Sequence, residues 1–367
     1  MKNVEGKNRK IVMLTVTESC NLDCFYCYEK NKSNAKMDIN VAKAAVKYEF
    51  ENSDGFDELE FDLFGGEPTI CKDFIKNLVV WTRLSNFSKP YIFYLQTNGT
   101  LIDSDFQKFL ISNKEQVAVG LSLDGTPKTH NKNRSNSYSK IDVNFFLTNY
   151  LEQGVRLTVH PRTLSDLFND ITHLHSLGFE IIDATFAHGV NWQDTTSVEM
   201  LEEQLRLLCD FYLEHPEIKK CSIFDMHIGS ILNNENRSRK MCGTGTSMVS
   251  IDVNGKRYPC QIFQPNTNCE SLKLGKIEFE KIKDFSDKSC ADCPLEPICP
   301  NCYGMNYLAN GDMLKRDKKH CIVTKVRAKA TMYLAAKEIE RGIDKLSTIE
   351  KWQTITAINE INKHQNL

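Results

Sequence analysis

The stretch Glu18-Ser19-Cys20-Asn21-Leu22-Asp23-Cys24-Phe25-Tyr26-Cys27-Tyr28 carries three cysteines at C-x3-C-x2-C spacing, directly after the apolar run Ile11-Val12-Met13-Leu14-Thr15-Val16. Spacing this short lets one loop turn several thiolates onto a common soft metal centre. No fourth ligand lies nearby, since the next cysteine is Cys71 and the first histidine is His130. An iron–sulfur cubane takes four ligands, so three thiolates leave one iron open to something else. The competing readings are a structural zinc loop, which prefers four closed ligands, and three inert buried thiols.

Outward from this loop, residues 9 to about 215 alternate short β-type runs with amphipathic helical patterns. Strands are expected over Ile11–Val16, Glu58–Leu63, Tyr91–Gln96, Gln116–Leu123, Val155–His160 and Glu180–Phe186. Helices are expected over Val41–Phe50, Lys72–Leu84, Ser104–Ile111, Val143–Leu151, Leu164–Leu177 and Ser197–Leu213. This order predicts parallel strands with helices outside, an α/β barrel or open sheet. The unusual residues all follow strands: Cys20–Cys27, Phe64-Gly65-Gly66-Glu67-Pro68, Thr97-Asn98-Gly99-Thr100, Ser122-Leu123-Asp124-Gly125, His160-Pro161-Arg162-Thr163 and His188-Gly189. Ligands of parallel α/β folds bind at the carboxyl ends of strands, so one sheet face is the expected active site. Two glycines let backbone approach a ligand closely, and Glu67 is suited to accept from an ammonium.

The C-x3-C-x2-C loop and the Gly-Gly-Glu after the second strand resemble the radical S-adenosylmethionine (radical SAM) enzymes. The resemblance implies a partial (β/α)6 barrel in which Cys20, Cys24 and Cys27 hold a 4Fe-4S cluster. Its open iron would chelate AdoMet and cleave it to a 5'-deoxyadenosyl radical. By the same resemblance Gly65, Gly66 and Glu67 hold the AdoMet amino group, and Ser122 and Asp124 contact its ribose. Arg134 would meet its carboxylate, and Tyr26 would lie along the adenine through its backbone.

Cysteines return as Cys242, Cys260, Cys269, Cys290, Cys293, Cys299, Cys302 and Cys321. Pro294, Pro297 and Pro300 keep the dense part from becoming helix, and so few periodic apolar residues point to a metal staple. Asn254-Gly255 reads as the turn of a hairpin ending at Cys260. This half resembles the SPASM domain, an auxiliary iron–sulfur module of peptide-modifying radical SAM enzymes; a zinc-ribbon pair is the alternative. The resemblance implies one auxiliary 4Fe-4S cluster on Cys290, Cys293, Cys299 and Cys321, and a second on Cys242, Cys260 and Cys302. The ladder ends Cys299-x2-Cys302 instead of the usual Cys-x3-Cys. The second set lacks an evident fourth cysteine, so either Cys269 completes it or one iron stays open.

The implied domains are a barrel over 9–215, a bridging region over 216–240, a SPASM segment over 241–325 and C-terminal helices over 326–367. In the bridge, Asp225 and His227 offer titratable groups, with a satisfied surface pair as the default reading. Cys209 is expected in the core. Ser347-x2-Glu350 reads as a capping box, and Trp352, Ile355, Ile358 and Ile361 as the apolar stripe of a last helix.

Fourteen cysteines among 367 residues, with no signal-peptide core, fit a reducing compartment and metal in place of disulfides. The expected location is cytoplasmic. A formal charge of −2 argues against a nucleic-acid partner, and no apolar run approaches the ~20 residues that span a bilayer. The implied function is radical modification of a ribosomally made peptide, by thioether or carbon–carbon crosslinking. Expected partners are that peptide or protein substrate, an electron donor such as flavodoxin or ferredoxin, and a separate leader-binding protein. Only nineteen residues precede Cys20, so no N-terminal leader-recognition domain is expected. The alternative enzyme is an anaerobic sulfatase maturase, which makes formylglycine. Such enzymes carry an aspartate base after the cysteine matching Cys260, where this chain has Gln261. A non-catalytic zinc or iron–sulfur module is the third reading. The general base is not legible.

Overall fold

The computed structural model describes residues 8–233, 240–267, 279 and 287–364. In chain order its main elements are β1 (Arg9–Thr17), α1 (Ile39–Glu51), β2 (Glu58–Gly65), α2 (Lys72–Leu84), β3 (Tyr91–Thr97), α3 (Ser104–Ser112) and β4 (Val117–Ser122). There follow α4 (Pro127–Asn133), α5 (Val143–Asn149), β5 (Val155–Val159), α6 (Leu167–Leu177), β6 (Ile182–Phe186) and α7 (Thr195–Glu214). The chain closes with β7 (Met248–Ile251), β8 (Arg257–Tyr258), α8 (Tyr303–Asn310), α9 (Lys318–Arg341) and α10 (Thr348–Asn362). The predicted α/β class holds, and the six expected strands are present within two residues at each end.

Aspartates start many of the helices. Asp38, Asp103, Asp142, Asp194 and Asp317 each accept a backbone N–H at the N-cap of α1, α3, α5, α7 and α9. Such caps satisfy donors that the first helical turn leaves orphaned. The helix expected from Leu164 begins later, at Leu167, because Pro161 opens a 3-10 turn first.

The chain forms two compact units. The first comprises residues up to 123, 130–156 and 243–280; the second comprises 124–129, 157–242 and 281–367. Compactness therefore interleaves stretches that the family modules would keep apart.

In the first unit β1 pairs in parallel with β2, β2 with β3 and β3 with β4; the start of β5 joins β4 at Leu121–Val155 and Ser122–Arg156. Leu59, Phe61 and Leu63 have no exposed surface, and Phe61 packs on Phe50 of α1 and Phe93 of β3. The alternate residues Glu60 and Asp62 face the other side, as the two-residue period of a strand requires.

The expected hairpin exists, with Gly255 at φ +84° and the Asp252 side chain accepting from Asn254 and Lys256 N–H. Its strand β7 also pairs in parallel with β1, from Ile11–Met248 to Leu14–Ile251, while β8 runs antiparallel to β7. A segment read as part of the cysteine-rich module thus extends the first unit's sheet.

In the second unit α7 packs on α9, and Cys209 is buried there as expected. A core of Met226, Ile228, Ile231, Leu295, Ala328, Met332, Ala357 and Ile361 joins α9, α10 and the turns before the cysteine ladder. The capping box at Ser347 and Glu350 is present. The expected α10 stripe holds at Ile361, which is buried, and at Ile358, which packs against this core, and is corrected at its N-terminal half. Thr354, Ala357 and Ile361 form the buried face, whereas Trp352 is 64% and Ile355 45% exposed. Small residues pack closest here, so the face that fits is not the bulkiest one.

Candidate active site

The cysteine loop leaves β1 and is tied down by protein. Gly66 N–H donates to Thr17 O at 3.0 Å, Glu67 N–H to Ser19 O at 2.9 Å and Cys27 N–H to Cys24 O at 3.0 Å. Asp23 N–H donates to Ser135 Oγ at 3.0 Å, and Asn21 bridges Thr100 and Asn98 through its amide. The glycines serve this packing. A Cβ on Gly65, whose φ is +141°, would lie 2.0 Å from Thr17 O, and one on Gly66 would lie 2.4 Å from Ser19 O. The close approach expected toward a ligand is here an approach of β2's exit to the loop.

Glu67 is 2% exposed. Its Oε1 accepts from Thr69 N–H and both the Thr69 and Thr97 hydroxyls, and Oε2 accepts from Asn98 N–H at 2.8 Å. Burial raises its carboxyl pKa against these hydrogen bonds. A carboxylate offers about four acceptor positions. Most of Glu67's are therefore spent on joining the ends of β2 and β3, with one direction left on Oε2.

Ser122 is half-buried and accepts from Gln96 Nε2 at 2.9 Å, while Gln96 Oε1 accepts from Tyr94 Oη at 3.0 Å. Gly120 makes room for this ladder, since its Cβ would lie 2.1 Å from Tyr94 Oη. Asp124 belongs to the second unit, is wholly buried, and accepts from Thr158 N–H at 3.1 Å. It presents no surface to a ligand. Arg134 is nearly buried, with its guanidinium carbon 5.5 Å from the centre of the Tyr26 ring, a cation–π distance. The structure therefore brings Tyr26 and Arg134 together.

Two groups beside the loop, Glu29 and Lys32, were not legible as site residues, and Gln261 was read only as standing in for an aspartate. Glu29 is 6% exposed and accepts from Asn266 Nδ2 at 3.0 Å. Burial pushes its carboxyl up to about 7, against the pull of the Lys32 charge. The Lys32 charge acts on both Cys27 and Cys20. The Tyr28 phenol lies near Gln261, and burial raises its pKa well above its ordinary value. Nearby, Gln264 accepts from the Thr15 hydroxyl at 2.9 Å and donates to Ser250 Oγ at 2.6 Å. The pairing of β7 with β1 brings residues 261–266 to the loop, and no local pattern announces that.

In the second unit Cys290 and Cys299 are buried, and Cys293 and Cys321 half-buried. Burial raises the Cys299 and Cys321 thiols. Cys299 also feels Cys321 and Cys293, and Cys321 feels Cys290 and Cys293. The four expected ligands thus share one neighbourhood. Cys302, pushed up to about 11 by burial, feels Cys242 in the same way. A cavity of about 610 Å³ is lined by these two cysteines, Asp225, His227, and the His188 and His320 rings, which stack at 4.2 Å. Asp225 and His227 are exposed, as expected of a surface pair, and also line this cavity. Cys260 is buried in the first unit; Cys269 lies outside the described residues.

Among the described residues no three His, Cys, Asp or Glu side chains converge as the ligands of a single ion do. The ligands of a cubane each bind a different iron and need not converge. Three thiols on one anchored loop suit a cluster. No helix of the described residues is long and apolar enough to cross a membrane.

The family model for the radical SAM superfamily matches residues 14–201. A cysteine-type anaerobic sulfatase-maturating enzyme of Clostridium novyi is 25% identical over 334 residues, covering 80% of this chain and 87% of that protein. The antilisterial bacteriocin subtilosin biosynthesis protein AlbA of Bacillus subtilis is 22% identical over 322 residues, covering 79% and 67%. Among solved structures, native anSMEcpe with bound AdoMet and Cp18Cys peptide superposes with a TM-score of 0.70 at 22% identity, covering 92% of this chain and all of that one. At that identity the superposition speaks for the fold.

Proposed function

The chain belongs to the radical SAM superfamily, and from that premise we propose that it modifies a residue of a peptide or protein substrate, forming a thioether or carbon–carbon crosslink. The cluster and AdoMet supply, when bound, a 5'-deoxyadenosyl radical that takes a hydrogen atom from the substrate. Cys20, Cys24 and Cys27 would hold the cluster. Arg134 with Tyr26, Ser122, and the free direction on Glu67 Oε2 would receive AdoMet. Asp124 stays a buried tie in this reading. Cys290, Cys293, Cys299 and Cys321 would hold an auxiliary cluster; Cys242 and Cys302, which line one cavity, would hold a second, with Cys260 added on the resemblance alone.

The substrate class rests on the relatives, a sulfatase maturase and a bacteriocin biosynthesis protein. A low-potential electron donor and a separate leader-binding protein are the further partners of this reading.

The observation that carries the crosslinking outcome is Gln261. Gln261 lies beside Tyr28 at the position where, by the resemblance, the sulfatase maturases carry an aspartate. An amide takes up no proton near neutral pH, and general-base help is typically worth about 10²–10⁴-fold. Formylglycine formation is the second reading, favoured by the identity and coverage of the Clostridium novyi enzyme.

The test is mass spectrometry after anaerobic turnover with a cysteine peptide from a sulfatase and with a cysteine-containing precursor peptide. Crosslinking requires loss of two hydrogens within the precursor and an unchanged sulfatase peptide. Formylglycine on the sulfatase peptide would replace the crosslinking reading with the second one. If Gln261→Asp gains formylglycine formation, the assignment of this position is sharpened.

A further inference from the structure

We propose that the cavity of about 610 Å³ in the second unit recognises an acidic side chain of the peptide substrate, through Arg327, His188 and His320. The inference rests on the reading of the chain as a peptide-modifying enzyme and adds a sequence preference to it. His188 lies just past β6, at the carboxyl end where parallel α/β folds bind their ligands. Its ring stacks on that of His320, with centroids 4.2 Å apart and planes 16° from parallel. In both rings Nδ1 is buried without a hydrogen-bond partner among the described residues. Nε2 is neither buried nor bonded to them, so it is the nitrogen that meets the cavity. An imidazole donates from Nε2 whether it is charged or carries its single proton there.

Arg327 is fixed before any ligand arrives. Its Nε donates to Ile223 O at 3.1 Å, and its Nη2 to Ser222 O at 3.1 Å and to Ile223 O at 2.9 Å. Its guanidinium carbon also lies 5.5 Å from the centre of the Phe186 ring. Nη1 has no hydrogen-bond partner among the described residues, which leaves both of its N–H groups for a ligand. A donor held in this way loses less freedom on binding than a mobile one. The charge of the lining favours an anion, since Lys240 and Arg327 stand against a single carboxylate, the exposed Asp225. A carboxylate accepts at both oxygens and suits a cluster of donors. A cavity of this size takes more than an inorganic ion and has room for a side chain with its backbone. Cys242 and Cys302 line it too, so the acidic residue would be held beside the cluster assigned to them.

The experiment is anaerobic fluorescence anisotropy on the full-length holoenzyme with AdoMet. The probes are short fluorescein-labelled peptides with a central cysteine and a glutamate stepped through the flanking positions, each beside its glutamine twin. At one spacing the glutamate peptide should bind about tenfold more tightly than its twin, as for hydrogen bonds to a charged group. Salt should shrink that margin. His188→Phe keeps a ring in the stack and removes Nε2, and it should cut the margin to about threefold. Asp225→Asn removes the opposing charge at an exposed position and should widen the margin by about threefold. Equal binding of the twins at every spacing overturns the proposal and leaves the peptide reading standing. A margin that neither variant changes also overturns it. Should His188→Phe fail to fold, Asp225→Asn decides the matter alone. If no peptide of either series binds while AdoMet does, the peptide reading itself falls and takes the proposal with it.

Discussion

The two cysteine-rich regions of this chain are held in different ways. The loop over 18–28 is anchored by backbone and side-chain hydrogen bonds to the ends of β1, β2 and β3 and to the turn at Ser135. The ladder over 287–302 consists of two isolated 3-10 turns with prolines between them. It is tied by Arg316, which donates to the Cys299 and Pro300 carbonyls, and by Asp287, which accepts from Arg316 N–H. The fold holds the first region and would keep it in place without metal. Apart from these ties, the second makes its backbone hydrogen bonds within its own turns and reaches the protein core through Leu295, so a metal joining its cysteines to Cys321 would supply much of its support. A site that must bind a ligand at an open iron gains from the first kind of support.

The largest expected effect tests this contrast directly. Replacing Cys293 and Cys321 by Ala should unfold the ladder, a loss on the scale of the about 10 kcal/mol that structural metals supply to small domains. Replacing Cys20, Cys24 and Cys27 by Ala should change stability by about 1 kcal/mol or less, as for substitutions away from the core. Hydrogen exchange over 287–302 against 18–28 reads both. Equal deprotection of the loop in the triple variant would break the comparison.

Next comes Glu67, the knot of the loop region. Glu67→Ala leaves Thr69 N–H, the Thr97 hydroxyl and Asn98 N–H without their acceptor. Each such orphan costs about 1–3 kcal/mol, so the variant should be destabilised by several kcal/mol in chemical denaturation. AdoMet affinity should also fall, by about 1.5–3 kcal/mol if the remaining direction on Oε2 takes a charged donor. Lost affinity with unchanged stability would mean that the carboxylate serves the ligand alone.

A smaller effect gauges how far protein helps the ladder. Ile361 of α10 belongs to the cluster containing Leu295, against which Cys293 and Ile298 pack. Ile361→Ala should cost about 2–4 kcal/mol and loosen the ladder, whereas exposed Trp352→Ala should stay within about 0.5 kcal/mol. Thermal unfolding of the two variants checks this. Reversed magnitudes would restore Trp352 to the stripe read from sequence.

The smallest is a near-cancellation in the second unit. Burial lowers the His160 pKa to about 4 and raises that of Asp170 to about 6. The histidine's contribution is complete above its ordinary 6.5 and is lost as pH falls toward 4. The aspartate's is complete below its ordinary 3.8 and is lost as pH rises toward 6. Between about 4 and 6 the two slopes oppose, and stability should be nearly flat. Asp170→Asn removes one of them, so this variant should lose stability more steeply on acidification in urea titrations. A parallel pH profile would show that acid loss in this unit comes from elsewhere, such as the ladder's thiolates.

The six strands from Ile11 to Phe186 were legible because each is a short apolar run bounded by turn residues, and the C-x3-C-x2-C loop because its spacing is local. Ligand sets carried on one short stretch survive any ambiguity about what packs against what. The short helix α4 over Pro127–Asn133 was missed, since seven polar residues show no apolar period. What tertiary structure alone decided is longer in range. The pairing of Ile11 with Met248 spans over two hundred residues, and it delivers Gln261, Gln264 and Asn266 to the loop that β1 feeds. Strand edges attract partners through backbone groups that every residue shares, so side-chain pattern says little about which edge a distant strand will choose. The same holds for Glu67: its residue type announced a carboxylate near the site, but the folded ends of β2 and β3 decided that the Thr69, Thr97 and Asn98 donors would take most of its lone pairs.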